Sequence, residues 1–117
     1  MYQRHELGKV GESLAVDYLI KQNYQIIERN FRCKRGEIDI IAKDKKELIF
    51  VEVKTRASKK YGKPAEAVTK QKKKHIYKAA EYYLAIHKKL YEYVRIDVIE
   101  VYEYKNAYYI HHIKQAM

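Results

Sequence analysis

GEIDIIAKDKKELIFVEVK, residues 36–54, decides how this chain folds. Two runs rich in β-branched residues, 36–42 and 47–54, flank the polar stretch Lys43-Asp44-Lys45-Lys46, the pattern of two strands joined by a hairpin turn. Side chains alternate faces along a strand. Glu37, Asp39 and Ile41 are therefore expected on one side of the first strand, and Phe50, Glu52 and Lys54 on one side of the second. With the turn centred between Lys45 and Lys46, Asp39 faces Glu52 and Glu37 faces Lys54. Directly opposed Cβ atoms lie about 4.5–5.5 Å apart, so two carboxylates would meet on one surface.

Like charges opposed across a ladder destabilise it, and more so inside apolar strands such as these. A divalent cation between the acids resolves the conflict, because Mg²⁺ takes carboxylate oxygens, keeps several waters and leaves positions for phosphate oxygens. Asp39 and Glu52 are the candidate metal ligands, with Mg²⁺ or Mn²⁺ as the expected cofactor and the Val53 carbonyl as an additional donor. Lys54 would serve the attacking water or neutralise charge developing at a phosphate. The ordinary alternative is a Glu37–Lys54 ion pair on a half-exposed hairpin whose two acids face solvent.

Working outward, residues 5–22 carry apolar side chains at Leu7, Val10, Leu14, Ala15, Tyr18 and Leu19, the spacing of an amphipathic helix. Glu12 flanks that stripe and is the fourth catalytic candidate. YQIIERNFR at 24–32 reads as a strand. Pro64, the only proline, suits the first turn of a helix, which is expected to run to His87 with Ala65, Val68, Ile76, Ala79, Ala80, Tyr83 and Leu84 as its stripe and Lys72 at a stripe position. Strands return at 91–101 and 107–113, with a turn near Lys105 and Asn106. The order αβββαββ, with a crossover helix between strand runs, predicts an α/β fold in which helices pack on a mixed five-stranded sheet.

The chain has 117 residues and a formal net charge of +10, a length that suits a single domain spanning 1–117. Ten basic residues and one acid, Glu66, fall between Lys54 and Lys78. A cationic stretch of that kind attracts polyanions, and Arg56, Lys59, Lys60, Lys63, Lys70, Lys72 and Lys74 are the candidate nucleic-acid contacts. A solvated helix face is the plain alternative, and for Lys72 a stem lying over apolar surface. No apolar run approaches the length of a membrane span and no secretory signal is evident, so no membrane partner and a cytoplasmic location are expected. One cysteine, Cys33, excludes an internal disulfide framework. The adjacent His111 and His112 would face opposite sides of a strand and not share a metal. The tyrosines of the last strands, Tyr102, Tyr104, Tyr108 and Tyr109, are assigned to packing before base stacking.

Gly11-Glu12-x-x-Ala15, Arg35-Gly36-Glu37-Ile38-Asp39, Phe50-Val51-Glu52-Val53-Lys54-Thr55-Arg56, Gly62-x-Pro64-x-Glu66-Ala67-Val68 and Arg95-Ile96-Asp97-Val98 occur in that order over nearly the whole chain. Together they resemble the YraN-like family of small bacterial proteins, assigned to the PD-(D/E)xK nuclease superfamily and similar in layout to archaeal Holliday-junction resolvases. The resemblance implies a three-layer, restriction-endonuclease-like fold, with Asp39, Glu52 and Lys54 as the signature triad, Glu12 as the helical acid and Lys72 as a family lysine of the second helix. It also implies a Mg²⁺-dependent endonuclease acting on DNA, with branched structures among its substrates and a homodimer as a candidate assembly. Ile38 stands where the superfamily motif has proline. A non-catalytic nucleic-acid-binding module of the same fold is the alternative, since one fold serves several functions.

Overall fold

The computed structural model describes residues 4–56, 70–87, 91 and 93–117, with side chains from residue 8 onward. The elements are α1 (Arg4–Lys21), β1 (Gln25–Cys33), β2 (Gly36–Asp44), β3 (Glu47–Arg56), α2 (Lys70–His87), β4 (Tyr93–Tyr104) and β5 (Ala107–Ile113). They reproduce the expected order and a mixed sheet of five strands, β1-β2-β3-β4-β5. Lys59, Lys60 and Lys63 and the expected helix start at Pro64 lie outside the described residues.

Local chemistry sets the element ends. α1 stops because Asn23 takes a left-handed φ of 68°, which lets Asn23 N–H donate to the Ile20 carbonyl and Tyr24 N–H to the Leu19 carbonyl, each at 2.9 Å. Lys45 turns the β2–β3 hairpin at φ 57°, and Lys105 and Asn106 turn β4 into β5 at 48° and 62°.

β3 and β4 run parallel and the other neighbouring pairs antiparallel, the arrangement a crossover through α2 requires. α1 places Ala15, Val16 and Leu19 over Ile40, Ala42, Ile49, Val51, Ile99 and Val101. On the opposite face α2 sets Ile76, Ala79, Ala80 and Tyr83 against Phe31, Ile38, Ile41, Leu48, Phe50 and Ile96. The result is a helix, sheet, helix sandwich with a core on each side of the sheet. Gly11 makes the α1 approach possible, for a Cβ there would lie 1.9 Å from Thr55 Cγ2.

β2 departs from regular alternation where the site begins. Ile38 and Ile41 belong to the α2 core while Ile40 and Ala42 belong to the α1 core, so the strand changes face at Asp39. Its neighbour changes with it. Asn30, between the Arg29–Ile40 and Phe31–Ile38 pairs, has a φ of 54°.

Candidate active site

The kink at Asp39 also ends the β2–β3 ladder. The register is the expected one from Asp44–Glu47 up to Ile40–Val51, and pairing stops there. Where the next rung would form, Val53 N–H donates to Asp39 Oδ2 at 2.8 Å, so the carboxyl sits as a wedge between two separating strands. The expected Glu37–Lys54 pairing does not form. Beyond the kink Glu37 turns to β1, opposite Arg32, whose Nε lies 3.2 Å from Glu37 Oε2.

Glu52 follows Phe50 on the α2 face of β3 and is only 4 % exposed. Apolar neighbours bury it, and two lysines compensate its charge. Lys54, one alternation further along the same strand, brings Nζ to 3.4 Å from Glu52 Oε1. Lys72, in the first turn of α2, brings Nζ to 2.6 Å from the same oxygen. The stripe position of Lys72 therefore points it at the sheet, and its ammonium ends on a carboxylate.

The expected Asp39–Glu52 rung does not form, since pairing ends at Ile40–Val51, but the two acids lie close enough for Glu52 to bear on Asp39. Burial, and then the neighbouring Glu52 carboxylate, push Asp39 up to about 7, against the lowering effect of the Val53 N–H. Burial lowers Lys54 below the usual lysine value, aided by the adjacent Lys72 amine and opposed by Glu52. Burial also pulls on Lys72, but its bonds to Glu52 and to Lys54 outweigh it and hold this amine above the usual value. The two amines are thus differentiated, with Lys54 the readier to give up a proton.

Glu12 reaches the same region from α1. It adds to the negative field at Asp39 and lines, with Asp39, Val53 and Thr55, an open cleft of about 600 Å³. Arg29 Nη2 is 3.5 Å from its Oε1, yet that oxygen is buried without a hydrogen-bond partner among the described residues. Among the described residues, no three of His, Cys, Asp and Glu come together as a metal cage. The donors do fit a hard cation of the Mg²⁺ kind, which is commonly held by one or two carboxylates and water: an acid pair that cannot comfortably ionise together, and a third acid with an unsatisfied buried oxygen nearby.

The cationic candidates divide. Lys70 and Lys74 line a cleft with Lys34 and Arg35 of the β1–β2 turn. Arg56 ends β3 in register with Tyr102, its Nε buried without a hydrogen-bond partner among the described residues. Tyr104 and Tyr109 are exposed, while Tyr102 is buried and Tyr108 packs on the α1 core.

One polar cluster escaped the sequence reading. Asp97, fully buried on β4, accepts from Arg95 Nε at 2.8 Å and Nη2 at 2.9 Å, from Gln115 N–H at 3.0 Å, and pairs with His112 Nε2 at 2.6 Å. The chain of contacts continues from His112 Nδ1 to Tyr18 at 2.9 Å, and from Arg95 to Tyr24 and Glu47. The signal was an acid in the apolar run Ile96-Asp97-Val98-Ile99, which must have a cationic partner. His111 and His112 do face opposite ways, His111 Nδ1 lying 2.9 Å from Glu100 Oε1.

Among the described residues, no helix is long and apolar enough to cross a membrane. The profile of the Uncharacterised protein family UPF0102 matches residues 11–101. A UPF0102 protein of Caldicellulosiruptor bescii is 53 % identical over 98 residues, covering 83 % of this chain and 82 % of its own. Another, from Clostridium botulinum strain Hall, is 55 % identical over 103 residues, covering 86 % and 82 %.

Proposed function

The chain belongs to the UPF0102 family, the restriction-endonuclease-like YraN group, and from that fold and the acids it carries we propose a Mg²⁺- or Mn²⁺-dependent endonuclease that hydrolyses phosphodiester bonds in DNA. The observation that carries this reading is the convergence of Asp39 and Glu52 where β2 and β3 separate, with Lys54 Nζ 3.4 Å from Glu52.

In this reading Asp39 and Glu52 would hold the cation, and the open end of the cleft that Glu12 and Asp39 line would admit the phosphate. When bound, the ion would polarise a phosphoryl oxygen and make water more acidic. The chain's own groups do the rest. Val53 N–H fixes the Asp39 carboxyl, so its second oxygen needs no reorganisation at the moment of reaction. Lys54, lowered by burial, accepts the proton of the attacking water at Nζ or, charged, steadies the developing oxyanion. Glu12 offers its unsatisfied Oε1 to orient that water. Arg56, Lys70 and Lys74 hold flanking phosphates, and Lys59, Lys60 and Lys63 extend the same basic stretch. Branched DNA is the first substrate to try. A homodimer belongs to the same reading, supported by β5, which ends the sheet of the described residues with one backbone edge not paired to another strand among them.

A second reading, a nucleic-acid-binding module without cleavage, is favoured by one observation: Lys72 already neutralises Glu52 at 2.6 Å. Cleavage of duplex, single-stranded and four-way-junction DNA with Mg²⁺ or Mn²⁺ separates the two. The nuclease reading expects cleavage by the wild type, lost in Glu52→Ala with binding retained. Equal cleavage by both proteins would contradict it, and binding without any cleavage would establish the second reading.

A further inference from the structure

Outside the acid cleft, a second concavity among the described residues lies between the β1–β2 hairpin tip and α2. It consists of two adjoining clefts of about 620 and 550 Å³ that share Lys34, Arg35, Gln71 and His75. Two rows of cations from distant parts of the chain face each other across it. Arg32, Lys34 and Arg35 form one row, and Lys70, Lys74 and Lys78 the other. Among the described residues its lining holds one carboxylate, Glu37, already engaged by Arg32 at 3.2 Å.

Two properties make this more than a solvated surface. The spacing of the rows is fixed by backbone contact, since a Cβ on Gly36 would lie 2.5 Å from the carbonyl oxygen of His75. Folding thus brings the six like charges of the two rows, with Lys72 beside them, to one groove, at a repulsive cost that a polyanion would relieve. The groove is also continuous with the acids, because Lys72 lines it while bonding Glu52 at 2.6 Å.

We propose that this groove is the track of one sugar–phosphate strand leading away from the acid site at Asp39 and Glu52, with Lys34 and Arg35 as phosphate contacts opposite α2. The inference rests on the nucleic-acid reading above and extends it to a hairpin outside the basic stretch. Charge complementarity selects the occupant: alternating phosphates suit two cation rows of this kind, and each contact releases counterions.

The test measures binding without cleavage. Labelled duplex and single-stranded DNA are titrated with full-length protein in EDTA at several salt concentrations. Lys34→Ala/Arg35→Ala is compared with wild type and with Lys21→Ala/Lys105→Ala, an equal charge loss on other exposed surfaces, and folding is checked by circular dichroism. The hairpin variant is expected to bind roughly tenfold more weakly at about 100 mM salt, with its log–log salt slope reduced by about 2 on duplex. The control is expected to match wild type. Equal affinities for all three proteins, or equal losses in both variants, would overturn the groove assignment while leaving the acid site untouched. Competition by polyglutamate as effective as by unlabelled DNA would overturn the choice of a phosphate strand in favour of an acidic protein. Loss of cleavage in Glu52→Ala is a separate result, so failure of the nuclease reading and failure of the groove are distinguishable.

Discussion

The ammonium of Lys72 lies 2.6 Å from Glu52 Oε1, and through that one contact α2 holds the charge that the sheet buries. Lys72 is 41 % exposed along its side chain and Glu52 only 4 %, so the lysine can leave without disturbing the core and the glutamate cannot. On the proposed reading, a cation entering between Asp39 and Glu52 would displace it, and the freed amine would then face the groove that leads to Lys34 and Arg35.

Lys72→Met therefore changes two quantities in opposite directions. Divalent affinity rises, because the competing charge is gone. Stability in EDTA falls by about 1–2 kcal/mol, the worth of a charged hydrogen bond reduced by partial exposure. Calorimetric titration with Mn²⁺ and thermal unfolding with and without the ion check both, with saturating Mn²⁺ restoring most of the lost stability.

The pH dependence of the cation-free protein follows from Asp39. Its folded pKa of about 7 stands above the ordinary 3.8, so between those values the folded chain keeps a proton that the unfolded chain has released. Stability contributed by this group is then greatest at the acid end and declines as pH rises from about 4 to about 7. Asp97, held below 3.8 by His112, Arg95 and Gln115 against the effect of burial, acts the other way and is the source of loss at still lower pH. Asp39→Asn removes the decline, and its unfolding temperature at about pH 8 in EDTA exceeds that of wild type by roughly 5 °C. Urea unfolding across the pH range reads both effects.

Arg95 supplies the charge that makes a fully buried Asp97 tolerable. Arg95→Met leaves His112 and the Gln115 N–H as partners but removes the bidentate pair, and is expected to cost about 3 kcal/mol. Arg95→Lys recovers only part of that, since one ammonium cannot replace the fork. Chemical denaturation of the three proteins gives the comparison.

Gly11 tests how α1 places Glu12. A Cβ there would meet Thr55 Cγ2 at 1.9 Å but Thr55 Cβ only at 3.3 Å. Gly11→Ala should destabilise by about 1–3 kcal/mol and lower cleavage by shifting Glu12. Adding Thr55→Ser removes the offending methyl and should recover most of both, as read by thermal unfolding and by cleavage rate.

The sequence carries the hairpin well, because short-range chemistry determines it. The polar run 43–46 marks the turn, the apolar runs on either side mark the strands, and the register from Asp44–Glu47 to Ile40–Val51 follows. That register brings Asp39 and Glu52 to adjacent positions just past the last rung. What happens beyond Ile40 does not follow from it, since the face change at Asp39 depends on Asn30 in the neighbouring strand and turns Glu37 away from Lys54 to Arg32. The partner of Lys72 and the seating of the hairpin tip on the His75 backbone were equally beyond a reading of local pattern. Both depend on where α2 lies across the sheet. His112 was legible only as one of two neighbouring histidines, because its link to Asp97 joins two strands and is shared with Gln115, beyond β5.

The most direct test of the account is the anomalous diffraction of a crystal soaked in Mn²⁺. The account predicts a single strong peak between the carboxylates of Asp39 and Glu52, with the Lys72 ammonium swung out of the 2.6 Å contact it makes with Glu52. A crystal saturated with Mn²⁺ that shows no peak there, and Lys72 still bonded to Glu52, would contradict it.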